Sequence, residues 1–330
     1  MPLLLLCALF MLINPREIIL CAREACALFA GDVLPGIFPF LTVMLLITSR
    51  LKKEAGFFPM ALMGMAAGSP AGARLSAFGH FTLKGYRAFA LLTGVMSPMF
   101  LLGTVPLWLN GQGMPVFLAT ILGALITAGL SLALPAKGQA VMEGENGQLS
   151  LPQAINRAAQ TMLTVCGCMV IGSCLGLMAG KCLPGQNALL RAVVQGLLEV
   201  TKGVKDISLI PFEDGRLPAA WAAALVSFGG VSLQMQNFSF YKKGALPMGI
   251  YLFLKGVHAA LAFLLAYVLV PLFPAAALYT AAVGVSNTRF TLPLWGMAFL
   301  LSEIVLKWRE VKKRGQGNAA HKQCESRAGG

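Results

Sequence analysis

Charge is scarce in this sequence. Of 330 residues only 12% are Asp, Glu, Lys or Arg, 57% are hydrophobic, and the mean hydropathy is +0.74. Soluble domains carry about a quarter charged residues, so a soluble globular fold is excluded and the chain reads as an integral membrane protein. Histidine is rarer still: there are three, with no H-E-x-x-H or other ligand cluster, and no metal site is expected. Eight cysteines are present without a C-x-x-C. Cys166, Cys168 and Cys174 share one apolar run, where cysteine behaves as a small hydrophobe, so neither a disulfide framework nor a redox pair is read. Paired acid and base, nucleophile constellation and phosphate loop are all missing. No enzyme chemistry is expected, and no cofactor beyond a coupling Na+ or H+.

Long apolar runs, by contrast, are abundant. Runs able to cross a hydrocarbon core of about 30 Å lie at 33–49, 88–109, 114–135, 159–180, 218–237, 246–273 and 291–306. Residues 3–13 form a shorter run; no positive charge precedes it, and Arg16, Glu17, Arg23 and Glu24 separate it from Ala25-Cys26-Ala27. It reads as a half-length or interfacial helix rather than a signal peptide.

The net charge of +13 is asymmetric. If the run at 33–49 ends inside, residues 50–87 hold six basic residues against one acidic on the inner face, and the tail from Lys307 holds seven against two. Residues 14–32 (net −1) and the nearly balanced 181–217 fall outside. That is the pattern of the positive-inside rule, so the basic tail reads as a cytoplasmic anchor with no nucleic-acid partner, and Arg74, Lys84 and Arg87 as topology signals or, alternatively, as charges that draw an anionic substrate to the cytoplasmic mouth.

Two apolar stretches fit no full crossing. GFFPMALMGMAAGSPAGA at 56–73 has basic residues on both sides, and PGQNALLRAVVQGLLEVTKGV at 184–204 poses the same problem from the other face, so each reads as a re-entrant hairpin. Each is followed by a span holding an irregular stretch, SPMFLLGTV at 97–105 and SFGGVSLQMQN at 227–237. The order of span, broken hairpin and broken span thus occurs twice, at an offset near 131 and with opposite orientation. Inverted repeats with discontinuous helices mark the binding site of secondary transporters, because irregular backbone at membrane depth must be buried in protein or line a cavity.

The set GSPAG (68–72), SPMFLLG (97–103), LEVTKG (198–203) and SFGGVSLQ (227–234), with VLPGIFPF at 33–40, resembles the sporulation integral membrane proteins of the YlbJ type, in the nucleoside-recognition or gate-domain group. The resemblance covers roughly residues 30–270. It implies an all-α polytopic membrane protein of about seven to eight transmembrane helices plus two re-entrant hairpins in an inverted repeat, as in the concentrative nucleoside transporters. It further implies a carrier of dipicolinic acid, or a similar small carboxylate, across the outer forespore membrane. Homo-oligomers or other sporulation membrane proteins are its expected partners.

The expected divisions are a 1–32 N-terminal segment, a first gate repeat at 33–109, a linking span and loop at 110–158, and a second, inverted repeat at 159–245. C-terminal helices at 246–306 and a tail at 307–330 complete the chain.

For such a cargo, Ser69 and Gly72 at the first hairpin, and Thr201 and Gly203 at the second, would present donors. Ser97, Ser232, Gln234 and Gln236 would add hydroxyls and amides beside the Gly229-Gly230 break. Lys202 would supply positive charge. Glu199, the acidic residue in the second hairpin's apolar body, would take a coupling proton or pair with Lys202 or Lys205. Lys255 and His258 could pair across the bundle, with His258 as a proton relay or a packing residue, and Glu303 would pair with Lys307. Two other readings remain: an ion-coupled nucleoside or nucleobase permease, and a non-transporting scaffold of the spore envelope.

Overall fold

The computed structural model describes residues 2–50, 56–76, 80–136, 139–141, 148–183, 187–242 and 244–273. The expected span at 291–306, the Glu303–Lys307 pair and the basic tail lie outside the described residues.

The chain begins with α1 (Pro2–Ile13) and α2 (Pro15–Leu28), which runs through a π-turn at Phe29–Val33 into α3 (Leu34–Arg50). Residues 15–32, expected as an external segment, are therefore helical. The reason is an amphipathic pattern: Cys21, Ala25 and Leu28 recur at helical spacing and are buried, with α2 packed on α9. Two of its charges are paired, Glu17 to Lys181 and Glu24 to Lys202.

α4 (Phe57–Ala67) and α5 (Ala71–Leu75) are followed by α6 (Leu83–Thr93), a π-turn at Phe100–Thr104, α7 (Val105–Trp108) and α8 (Gly113–Ala133). Then come α9 (Leu151–Cys182), α10 (Ala188–Leu198), α11 (Val200–Ser208), α12 (Leu217–Phe228), α13 (Gly230–Phe240) and α14 (Met248–Leu269). Start signals are written locally: Thr82 accepts from the Gly85 N–H ahead of α6, Ser150 and Gln153 form a capping box on α9, and Asn187 caps α10. One element lies outside the expected all-helical plan. β1 (His80–Thr82) pairs antiparallel with β2 (Gln139–Val141), His80 opposite Val141, joining the segment before α6 to the one after α8.

Among the described residues, five helices are long and apolar enough to cross a membrane: Pro15–Arg50, Gly113–Ala133, Leu151–Cys182, Leu217–Phe240 and Met248–Leu272. The run at 88–109 is interrupted after Thr93. α4 and α10, at 11 residues each, reach only about 16 Å, half a hydrocarbon core. The polarity is that of a protein solvated by lipid. On α8, Leu122, Leu125, Ile126 and Leu130 face outward, while Thr120, Thr127 and Ser131 are buried. Small and polar side chains let membrane helices approach and hydrogen-bond, and apolar ones meet the acyl chains.

Arg87 departs from its reading as a surface topology signal. It is buried, and its guanidinium donates to the carbonyls of Ser131 and Leu134 at 2.5 and 2.8 Å. A positive charge thus closes the C-terminal end of α8.

The loop before α12 is tied to α14. Asp214 accepts from the Arg216 guanidinium at 2.9 Å and from the Tyr267 hydroxyl at 2.8 Å, and Arg216 stacks 4.1 Å above the Tyr267 ring. The hydrogen bonds from Arg216 hold the Asp214 carboxyl well below the usual carboxylate range. A carboxylate with a depressed folded-state pKa stabilises the fold fully above its unfolded value of about 3.9 and progressively less as the pH falls below it. Asp214→Asn should therefore lower the melting temperature of the purified protein at neutral pH, with the two proteins converging in acid. A difference that is the same at every pH would show that the charge is not what matters.

Candidate functional site

The site is built from four helix interruptions. The first separates α4 from α5 at Gly68-Ser69-Pro70, where Gly68 has φ +65°. The second follows α6, which stops at Thr93 with Gly94 as its cap. These two meet: a Cβ on Gly68 would sit 2.3 Å from Ser97 Cα, and the Ser69 N–H donates to the Val95 carbonyl at 2.7 Å. Only glycine permits that approach. The exposed backbone of one break is thus satisfied by the other.

The third interruption, at Glu199, separates α10 from α11, and the fourth, at Gly229 (φ +89°) and Gly230 (φ +63°), separates α12 from α13. These also meet, since a Cβ on Gly230 would lie 3.0 Å from the Gly196 carbonyl oxygen and 3.2 Å from the Val200 nitrogen. Behind them, Gly172 of α9 leaves room for Glu199 and Ser232, and Gly176 one turn on for Gln195. The pair forms a small-residue seam on which the α10–α11 unit sits.

The first three breaks, and α13 just beyond the fourth, face one small cavity of about 30 Å³. Its polar lining is Ser69, Ser97, Glu199, Thr201, Ser232 and Gln236, and α3 and α9 close it with Val33, Ile37, Val165 and Met169. A side-chain bond from the Ser69 hydroxyl to Asn237 Oδ1 joins the first break to α13. Space of this size holds one or two waters and no organic cargo, so the conformation is closed around the site. A second cavity of about 160 Å³ shares Pro70, Val165 and Gln236 in its wall and is lined by Arg74, Arg157, Gln160, Thr161, Thr164 and Ser239.

Glu199 is 1% exposed and is the N-cap of its own helix, its two carboxylate oxygens accepting from the N–H groups of Thr201 at 3.1 Å and Lys202 at 2.7 Å. The backbone donors expected for a cargo carboxylate at this hairpin are therefore in use within the protein. Lys202 pairs with Glu24 at 3.3 Å and Asp206 at 3.4 Å rather than with Glu199.

Six of the twelve expected site residues line the central cavity, and the rest do other work. Gly72 packs between Gly64 and Thr93, Gly203 packs on Gly196, Gly229 and Gly230 form the fourth break, and the Gln234 amide donates to the Phe228 carbonyl. Asn237 was missed as a site residue although it ends the quoted SFGGVSLQMQN stretch. Gly172 and Gly176 were missed because a glycine pair in an apolar run carries no sign of what it faces.

Lys255 and His258 are both fully buried and hold separate acceptors. Lys255 reaches the Gly94 carbonyl at 3.2 Å, and His258 Nε2 donates to the Thr120 carbonyl at 2.8 Å, in the space left by Gly123.

No family model matches this chain, and no curated protein or solved structure matches it.

The packing roles separate cleanly in mutants. A Cβ on Gly203 would lie 2.1 Å from Gly196 Cα, whereas one on Gly167 meets nothing within 4 Å. Gly203→Ala should destabilise by roughly 1–3 kcal/mol through overpacking, and Gly167→Ala, in mid-helix, should be neutral or stabilising by up to about 1 kcal/mol. Thermal melts of the two variants in one detergent decide it; equal melting temperatures would remove Gly203 from the hairpin contact.

Proposed function

We propose that this chain is a membrane carrier for a small planar carboxylate, with dipicolinic acid the cargo implied by its resemblance to the sporulation membrane proteins. The observation that carries the reading is the convergence of the broken helices on one small cavity, whose mostly apolar wall includes Ser69, Ser97, Glu199, Thr201, Ser232 and Gln236. Two half-length hairpins and two interrupted spans converging at membrane depth are the architecture of a binding site gated from alternate sides. In this reading α4–α5 and α10–α11 are the re-entrant hairpins of an inverted repeat, and α3 with α9, the α6–α7 segment with α12–α13, and α8 with α14 are its corresponding parts. The outer forespore membrane is the location the resemblance implies, alone or with other sporulation membrane proteins.

The anion preference is supported by the larger neighbouring cavity, whose two arginines lie beside hydroxyl and amide groups. Guanidinium forks match carboxylates bidentately, and a cationic approach raises the local concentration of an anion. The narrow inner cavity then offers hydroxyls and amides, and it must widen to admit cargo. Glu199 stands there as the group able to exchange a coupling proton.

A nucleoside or nucleobase is the second reading. It is favoured by the inner lining, in which Glu199, Gln236 and three serines suit ribose hydroxyls and no lysine or arginine takes part.

Uptake of labelled dipicolinate into proteoliposomes distinguishes them. Wild type should give saturable uptake, Ser97→Ala and Ser232→Ala should reduce it, and Glu199→Gln should lose its response to a pH gradient, all at matched abundance. Saturable uptake of nucleosides instead would move the cargo to the second reading. No uptake of either would leave a non-transporting scaffold.

A further inference from the structure

The end of α6 is a broken helix terminus inside the bundle, and its carbonyls need donors. The Ala90 carbonyl receives the Gly94 N–H at 2.9 Å and the Tyr241 hydroxyl at 3.2 Å, and the Val95 carbonyl receives the Ser69 N–H. Between them, the Gly94 carbonyl receives the Lys255 ammonium at 3.2 Å. Lys255 lies in the middle of α14, is 0% exposed, and among the described residues has no carboxylate partner.

A lone ammonium buried in a membrane helix is costly and persists where it is used. Its surroundings here are those of a cation site, because the C-terminal end of a helix carries about half a negative charge. Unwound carbonyls and half-helix C-termini are also what broken-helix carriers use to coordinate Na+. Among the described residues no ammonium stands at the fourth break. There α8 presents Thr120, whose hydroxyl accepts from Ser227 at 3.4 Å. The cation stands at the second break.

We infer that the Lys255 ammonium is the resident cation of the α6 terminus, occupying the position that Na+ holds in a sodium-coupled carrier, so that the folded chain uses no Na+ as a structural or coupling ion. The inference decides between the two coupling ions consistent with the sequence, and it needs no cargo for its test, so it stands or falls separately from the transport reading.

The experiment is thermal unfolding of the full-length protein in detergent, in NaCl and in choline chloride of equal ionic strength. Wild type should melt at the same temperature in both salts. Lys255→Met, which keeps the stem and removes the charge, should melt lower in choline and recover part of the loss in Na+, while Lys255→Arg should stay near wild type. A saturable Na+-dependent rise in the wild-type melting temperature would overturn the inference, and this arm needs no variant to fold. A Lys255→Met protein as stable as wild type in choline, or one that Na+ does not rescue, would overturn it equally.

Discussion

Backbone inside a membrane has no water to bond to, and the structure is arranged around that constraint. Four helices stop where lipid would leave their ends unsatisfied, and each stop is answered from within the protein. Ser69 serves the α6 break through its N–H, Glu199 caps α11 with its carboxylate, Gln234 answers the Phe228 carbonyl, and Lys255 answers Gly94. The glycines make this possible by geometry. Gly68 and Gly230, both at positive φ, bring one break within contact of the next, and a methyl group at either would separate them.

The same constraint places the charges. An acidic side chain sits at the N-terminal end of α11 and basic ones at the C-terminal ends of α6 and α8, each with the sign that complements the local helix dipole. These groups are buried without mutual ion pairs, so each is held by the backbone it caps. The hairpin that carries Glu199 rests on a glycine seam in α9 and on Gly230.

Much of this was legible in the sequence because glycine and proline punctuate apolar runs visibly. The breaks at 68–70, at 199 and at 229–230 fall in the stretches their composition marked, and the lining serines, Thr201, Glu199 and Gln236 lie near the breaks, but the second break, at 94–97, precedes the marked 97–105, which is helical beyond Ser97. What stayed hidden was partnership. Arg87 looks the same in sequence whether it marks topology or caps α8, and Lys255 gives no hint of the Gly94 carbonyl 161 residues away. The helix at 15–32 was hidden because its net charge of −1 marked only an external segment, although Cys21, Ala25 and Leu28 carried the helical period. The short β1–β2 ladder rests on pairing between distant segments, which local pattern does not encode.

The first hairpin and α13 meet at one site, and the Ser69–Asn237 contact expresses that meeting most directly. The measurement is cross-linking of a Ser69→Cys/Asn237→Cys pair, with the native cysteines replaced, by a short bifunctional thiol reagent in native membranes. The account predicts efficient intramolecular cross-linking that falls away when the second cysteine is moved to Met235, an outward-facing position two residues back. Two cysteines that each react with a monofunctional reagent yet never cross-link would contradict it.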